Sequence, residues 1–397
     1  ALASLERLSS GYPDQGEAIT AARLDLAEAL AEGGRLDRAL EEFRAAAADG
    51  APLVIRGGGS KAWYGDPVAG DTLDVSEHTG VIEYDPGELV LTYRAGTPLA
   101  ELRAMLAENG QHLPFDPPAF GDRATVGGAV ACGFSGPARP WTGALRDYLL
   151  GTRIVNGRGE ILRFSGQVMK NVAGYDISRL MAGARGTLGV LLDVSFKVLP
   201  RPASERTLRF QYPQDEAIRR MNAWAGQPLP LSGAAWEDGK LWLRLSGARS
   251  EVARAATTLD GEEVEDDGSW QALREHELAF FAGDGALWRL SLPPAAAPLD
   301  LDGPCLVDWG GAQRWYRGEA AADVVRAAAA ASGGHATLFR GPPGIGRGHL
   351  EICEHQEKSR QLERAAEPGH HATSGAVDAR LINPGSKRLR ISRPSAP

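Results

Sequence analysis

The chain of 397 residues is long enough for two or three domains, and a single hydrophobic core is not expected. With 43% hydrophobic and 24% charged residues the composition is ordinary for a globular protein, and a formal net charge of -8 gives no global electrostatic case for binding nucleic acid. Three cysteines, Cys132, Cys305 and Cys353, lie far apart and make neither a disulfide framework nor a paired metal site, which fits a reducing compartment.

Residues 1–50 read as a helical extension rich in alanine and leucine. Leu26, Ala27, Leu30, Gly34, Ala39, Phe43 and Ala46 match the spacing of one tetratricopeptide-like hairpin, with a plain helical leader as the alternative. From residue 51 short apolar strands alternate with glycine-rich turns, at Leu53–Ile55, Leu89–Tyr93 and Tyr148–Val155. A helix is expected after Thr97-Pro98, with Thr97 as its cap. This α+β domain runs over 51–200, and Leu199 to Pro202 reads as a linker. A smaller α+β, cap-like domain with a mainly antiparallel sheet follows over 201–340. Its strand Lys240–Leu245 alternates with period two, further strands fall at Leu287–Leu292 and Ala336–Phe339, and helices at Glu251–Thr258 and Glu319–Ala331. Residues 341–397 form a poorly defined polar tail.

No apolar run reaches the roughly 18 to 20 residues of a membrane helix, and the first residues lack the pattern of a secretory signal. The expected location is cytoplasmic, with any peripheral contact at the inner membrane made through partners.

Three glycine-rich segments carry the chemistry. The first is Arg56-Gly57-Gly58-Gly59-Ser60-Lys61 after a strand, where backbone N–H groups can converge on an anion such as a diphosphate. The second is Thr125-Val126-Gly127-Gly128, continuing through Gly133, Ser135 and Gly136; its small residues let the backbone lie against a flat or extended ligand while strands continue on either side. The third, Gly186-Thr187-Leu188-Gly189-Val190, leads into an apolar strand. Each segment alone also reads as a tight structural turn. Gly341 to Gly348 mimics a phosphate loop but lacks its Lys and Ser/Thr. His349, Cys353, His355, His370 and His371 have no standard zinc spacing, and no metal is expected. The sequence contains nine tryptophans, and Trp236, Trp242, Trp288, Trp309 and Trp315 are expected in the core or at an interface. Nothing promotes Glu237 or Asp308 to a general base.

In order and spacing, residues 51–200 resemble the FAD-binding domain of the vanillyl-alcohol-oxidase and p-cresol-methylhydroxylase (PCMH) type. Leu113 to Pro118, Val168 to Asp176 and Gly233 to Gly247 further resemble the FAD-binding small subunit of bacterial glycolate oxidases. The resemblance implies the fold class: α+β, with a PCMH-type FAD-binding domain, a smaller α+β domain and the helical extension. It implies that Arg56, Gly57, Gly58, Gly59, Ser60 and Lys61 hold the FAD diphosphate. It places Thr125, Gly127, Gly128, Gly133, Ser135 and Gly136 along the flavin, and Gly186, Gly189 and Val190 nearby. The first loop has no histidine, so the FAD is expected to be non-covalent, and Gly58→Val is expected to remove it from a folded protein. The implied function is oxidation of glycolate to glyoxylate within a complex. The implied partners are a second FAD-linked subunit and an iron–sulfur subunit that takes the electrons. The alternatives are a non-catalytic FAD-binding subunit of that complex and a stand-alone flavin oxidase of another 2-hydroxy acid. No histidine or arginine is assigned to catalysis by the motifs.

Overall fold

The computed structural model describes residues 52–65, 69–164, 176–283 and 285–341, together with Glu41, Arg44 and Ala45. The hairpin reading, the phosphate-loop mimic after Gly341 and the histidine cluster lie outside these residues.

The first region begins with the parallel pair β1 (Leu53–Arg56) and β2 (Asp71–Asp74). Next come β3 (Val81–Asp85), β4 (Val90–Arg94), α1 (Leu99–Glu108), β5 (Gln111–His112), α2 (Val126–Cys132) and the single turns α3 (Arg139–Thr142) and α4 (Leu145–Tyr148). β6 (Leu149–Val155), β7 (Ile161–Phe164), α5 (Ile177–Met181), β8 (Val190–Lys197) and β9 (Leu199–Pro200) complete it. Five of these strands form a sheet in the order β3-β4-β8-β6-β7. Its core joins Leu91, Tyr93, Val194 and Phe196 of the sheet to Leu99, Leu102 and Leu106, which recur on one face of α1.

Two local expectations are corrected. Thr97 does not cap α1: Pro98 holds the cap position, and the Thr97 hydroxyl accepts from Gly80 N at 2.9 Å and lies 2.8 Å from the Arg94 carbonyl. Leu199 to Pro202 is more than a connector, because β9 pairs with β5 and Arg201 N donates to the Gly110 carbonyl.

The second region contains β10 (Ser204–Gln211), α6 (Gln214–Ala225), β11 (Leu231–Glu237), β12 (Lys240–Gly247), α7 (Arg249–Leu259), β13 (Glu262–Val264) and α8 (Ser269–Glu275). It continues through β14 (Leu287–Ser291), β15 (Cys305–Asp308), β16 (Gln313–Arg317), α9 (Ala322–Ala331) and β17 (His335–Arg340). The eight strands pair throughout as antiparallel neighbours in the order β13-β10-β12-β11-β15-β16-β14-β17. β12 shows the expected alternation: Leu241, Leu243 and Leu245 are fully buried against apolar residues of α6 and α7. Trp288, Trp309 and Trp315 are buried, as expected of core or interface aromatics. Among the described residues no helix is long and apolar enough to cross a membrane.

Candidate active-site cleft

β1 delivers the first glycine loop against the second. A Cβ on Gly57 would lie 2.6 Å from Thr125 Oγ1, and one on Gly58 would lie 1.3 Å from the Arg123 carbonyl oxygen. The bare Cα atoms are therefore what lets these loops meet. A side chain at Gly58 meets the Arg123 backbone, so Gly58→Val is expected to displace the loop itself as well as to block a ligand.

Above this contact the amides of Gly58, Gly59, Ser60 and Lys61 donate to nothing among the described residues. Four successive N–H groups without protein acceptors suit a polyanion. Lys61 serves the loop in another way. It is 8% exposed, and its Nζ donates to the Ala119 carbonyl at 3.0 Å and to Ser60 Oγ at 3.2 Å. Burial pushes its ammonium pKa down. Arg56 packs its guanidinium beside the Gly59 Cα.

The second segment is itself helical, and the short turns α3 and α4 follow it where a strand was expected. Thr125 caps α2 by accepting from Gly128 N at 3.1 Å, and Gly127 lets the helix approach Ala95. α2 ends at Gly133, whose φ of 65° is left-handed. The chain then lays Ser135 and Gly136 along the cleft wall: Ser135 Oγ accepts from Leu145 N, and the Gly136 carbonyl accepts from Trp309 Nε1 at 3.0 Å. Gly186 packs against Ile55 of β1 and Gly189 against the Val155 carbonyl, while Val190 is 2% exposed in the core between β2 and β8. The structure thus joins the first two segments directly and places Gly133, Ser135 and Gly136 on the cleft. Gly189 and Val190 sit deeper, in sheet packing.

The cleft itself holds about 650 Å³ and is walled by both regions. It gathers residues that no motif marked. His276 stacks on Phe281 with ring centroids 4.0 Å apart, and its Nδ1 accepts from Arg340 at 2.9 Å. Burial, followed by the charges of Arg340 and Arg289, pushes its pKa well below the ordinary histidine value. It is therefore a neutral imidazole whose proton sits on Nε2. Asp308 is 3% exposed; Oδ1 accepts from Trp309 N at 2.7 Å and Oδ2 from Gln313 Nε2 at 3.3 Å. Burial pushes its carboxyl up to about 7, against which those two hydrogen bonds act. Arg139, Arg289, His335 and Thr337 share the same wall space. From the sequence alone none of them carries a role, because they come from α3, β14 and β17, and only sheet register brings them together. Among the described residues no three His, Cys, Asp or Glu side chains group as a metal site.

Comparison with known proteins gives this geometry its context. Residues 29–165 match the family model described as FAD binding domain. The chain is 52% identical over 300 residues to the glycolate oxidase subunit GlcE of Escherichia coli (strain K12), a match covering 76% of this chain and 85% of that protein.

The chain belongs to the GlcE family of glycolate oxidase subunits.

It is accordingly a flavoprotein subunit of the oxidoreductase class, with FAD as its cofactor. A second relative, the glycolate oxidase subunit GlcD of Bacillus subtilis (strain 168), is 31% identical over 168 residues, 42% of this chain and 36% of that protein. A solved structure of alkyldihydroxyacetonephosphate synthase superposes with a TM-score of 0.57 over 87% of this chain and 74% of that one. At 13% identity it shows the shared fold alone. The chemistry of the loops fits the cofactor of the GlcE family: a diphosphate needs several converging N–H donors and close backbone approach, and the loop after β1 offers both.

Proposed function

We propose that this chain is the FAD-binding subunit of a glycolate oxidase complex that converts glycolate to glyoxylate. Residues 51–200 form the cofactor domain and 201–340 the cap-like domain over the cleft. The observation that carries the reading is the run of four amides, Gly58 to Lys61, without acceptors among the described residues. In this reading Arg56 to Lys61 hold the diphosphate, and Thr125, Gly127, Gly128, Gly133, Ser135 and Gly136 border the flavin. Gly186, Gly189 and Val190 support it from behind. The loop contains no histidine, which supports a non-covalent attachment.

Bound FAD supplies the two-electron acceptance that oxidation of an alcohol carbon requires. The protein supplies orientation and exclusion of water. The aromatic wall of Tyr64, Phe120, Phe134, Trp315 and Phe339 keeps the cleft floor apolar. His276 stays neutral there and holds its proton on Nε2, ready to donate toward a substrate oxygen.

Electrons pass in this reading to a partner subunit with iron–sulfur clusters, the three scattered cysteines of this sequence forming no run for such a cluster. A second flavin subunit completes the assembly, and membrane contact is made through partners. Anaerobic titration of the purified complex with glycolate tests the reading: this subunit's flavin should bleach at the turnover rate. Bleaching confined to the other flavin subunit would favour a non-catalytic role for this chain.

A further inference from the structure

The eight-stranded sheet turns a polar face into the cleft, and strand register shows how it is built. Arg289 on β14 stands opposite Trp315 on β16 and Thr337 on β17. Two residues further on, Ser291 stands opposite Gln313 and His335. Directly opposed residues, and those two apart along a strand, share a sheet face. The six make two rows of three, and all six line the cleft. An antiparallel sheet ordinarily turns apolar residues toward packed elements, so these largely polar rows, on β16, β14 and the edge strand β17, need a ligand or solvent to satisfy them.

Two features of this face point to an anion. First, the guanidinium of Arg289 and that of Arg139, which enters from α3, both lie over the Trp309 ring, with Cζ 5.4 Å and 4.3 Å from its centroid. Arg289 gives its Nε–H to Gln313 Oε1 at 2.9 Å. Its terminal nitrogens, and all those of Arg139, donate to nothing among the described residues, and neither arginine is within ion-pair distance of a carboxylate there. Burial first, then the charges of Arg289 and Arg146, depress the Arg139 pKa, with Asp147 acting against them. Second, Thr337 is 5% exposed, yet its Oγ1 has no hydrogen-bond partner among the described residues. A buried, unpaired hydroxyl on the strand next to Arg289 calls for a hydrogen-bond acceptor.

We propose that Arg289 and Thr337, faced by Arg139, form a subsite for the carboxylate of a small 2-hydroxy acid. A planar carboxylate matches the two terminal N–H groups of Arg289, and Thr337 Oγ1 donates alongside. Gln313 is a positioning residue: it fixes Arg289 through Nε and leans on Asp308 behind it. Because burial raises the Asp308 carboxyl to about 7, it is largely uncharged at mildly acid pH and does not compete with the incoming anion. The identity of the acid rests on the glycolate oxidase reading; the anion site itself does not. The other source of the same chemistry is the cofactor's own phosphate.

The test uses the FAD-loaded full chain and oxalate, a two-carbon carboxylate with no alcohol to oxidise, followed by tryptophan fluorescence and the visible flavin spectrum. Wild type should show saturable binding that equal ionic strength of chloride does not reproduce. Arg289→Lys, which keeps the charge but loses the fork, and Thr337→Val, which keeps the shape but loses the hydroxyl, should each weaken oxalate at least tenfold with FAD content unchanged. No saturable response in wild type, or wild-type affinity in Thr337→Val, overturns the proposal. Loss of FAD from Arg289→Lys also overturns it, by assigning the site to the cofactor's phosphate. A wild-type chain that carries no FAD before oxalate is added refutes the parent reading instead, and the two failures stay distinct.

Discussion

One oxygen of Glu275, Oε2, accepts both the Ala119 and the Phe120 backbone N–H groups at 2.8 Å each. Its other oxygen accepts from Arg274 Nε at 2.8 Å, while Arg274 reaches Asp116 Oδ1 at 2.5 Å. The end of α8 thus clamps the segment 116–120 that carries Phe120 and Pro118 into the cleft. The clamp holds Asp116 and Phe120 at φ of 42° and 52°, left-handed values that cost free energy for non-glycine residues. Glu275→Gln keeps the shape and removes the charge. It should destabilise the protein by about 1–3 kcal/mol in urea unfolding, and FAD should dissociate faster because the cleft wall is no longer pinned. Unchanged stability would show that the two amides are satisfied without the carboxylate.

The contact between the two glycine loops can be tested by suppression. Gly57→Ala places its Cβ against Thr125 Oγ1 and should weaken FAD binding at least tenfold. Thr125→Ala alone should cost about 1 kcal/mol through loss of the α2 cap. Combined with Gly57→Ala it removes the obstructing oxygen, so the double variant should retain more FAD than Gly57→Ala. Equilibrium dialysis of FAD against the three variants measures this. A double variant weaker than the product of the two singles would show that the loops meet differently.

Arg153 and Asp193 are direct neighbours across β6 and β8, and both are buried, at 2% and 4% exposure. Arg153 Nε donates to Asp193 Oδ2, and His78 Nε2 lies 3.2 Å from Oδ1. Removing one charge strands the other, so Asp193→Ala should cost about 3–5 kcal/mol. The paired replacement Arg153→Met with Asp193→Leu should recover most of that loss, as read from denaturant midpoints of the single and double variants.

Asp308 links stability to pH. Burial raises its folded carboxyl from the ordinary 3.8 to about 7. The folded state therefore holds this proton over a range in which the unfolded chain has released it. Stability from this group is complete below about 4, declines as pH rises toward 7, and stays level above that. The charged and polar groups facing it are Arg244, Arg289, Gln313 and the Trp309 N–H. Asp308→Asn should flatten this part of the melting-temperature profile between pH 4 and 7, within the limits set by the lost acceptor for Gln313. A profile parallel to wild type would mean that Asp308 ionises normally in the fold.

Much of the frame was legible before the structure, because local pattern encodes it. The three buried leucines of β12 alternate as a half-buried strand must, and the glycines before β8 mark its start at Val190. The loop after β1 stood out because consecutive glycines are rarely needed except where backbones meet a ligand or each other. The helix of the T-V-G-G segment was not legible because small residues suit both a bend between strands and a tightly packed helix, and the Thr125 cap decides for the helix. The polar rows of the cleft left no local trace. Arg289, Gln313 and Thr337 sit on strands whose spatial order, β16-β14-β17, differs from their chain order. A hydroxyl or guanidinium that alternates along a strand reads the same whether it faces solvent or a cleft.

The most direct test of the central claim is the visible spectrum of the purified full chain before and after acid precipitation. Flavin bands in the native protein, with the yellow colour released to the supernatant as FAD, are the predicted result. A colourless protein that cannot be loaded with FAD, or colour that stays with the precipitate, would contradict the account of a non-covalent FAD held by the loop after β1.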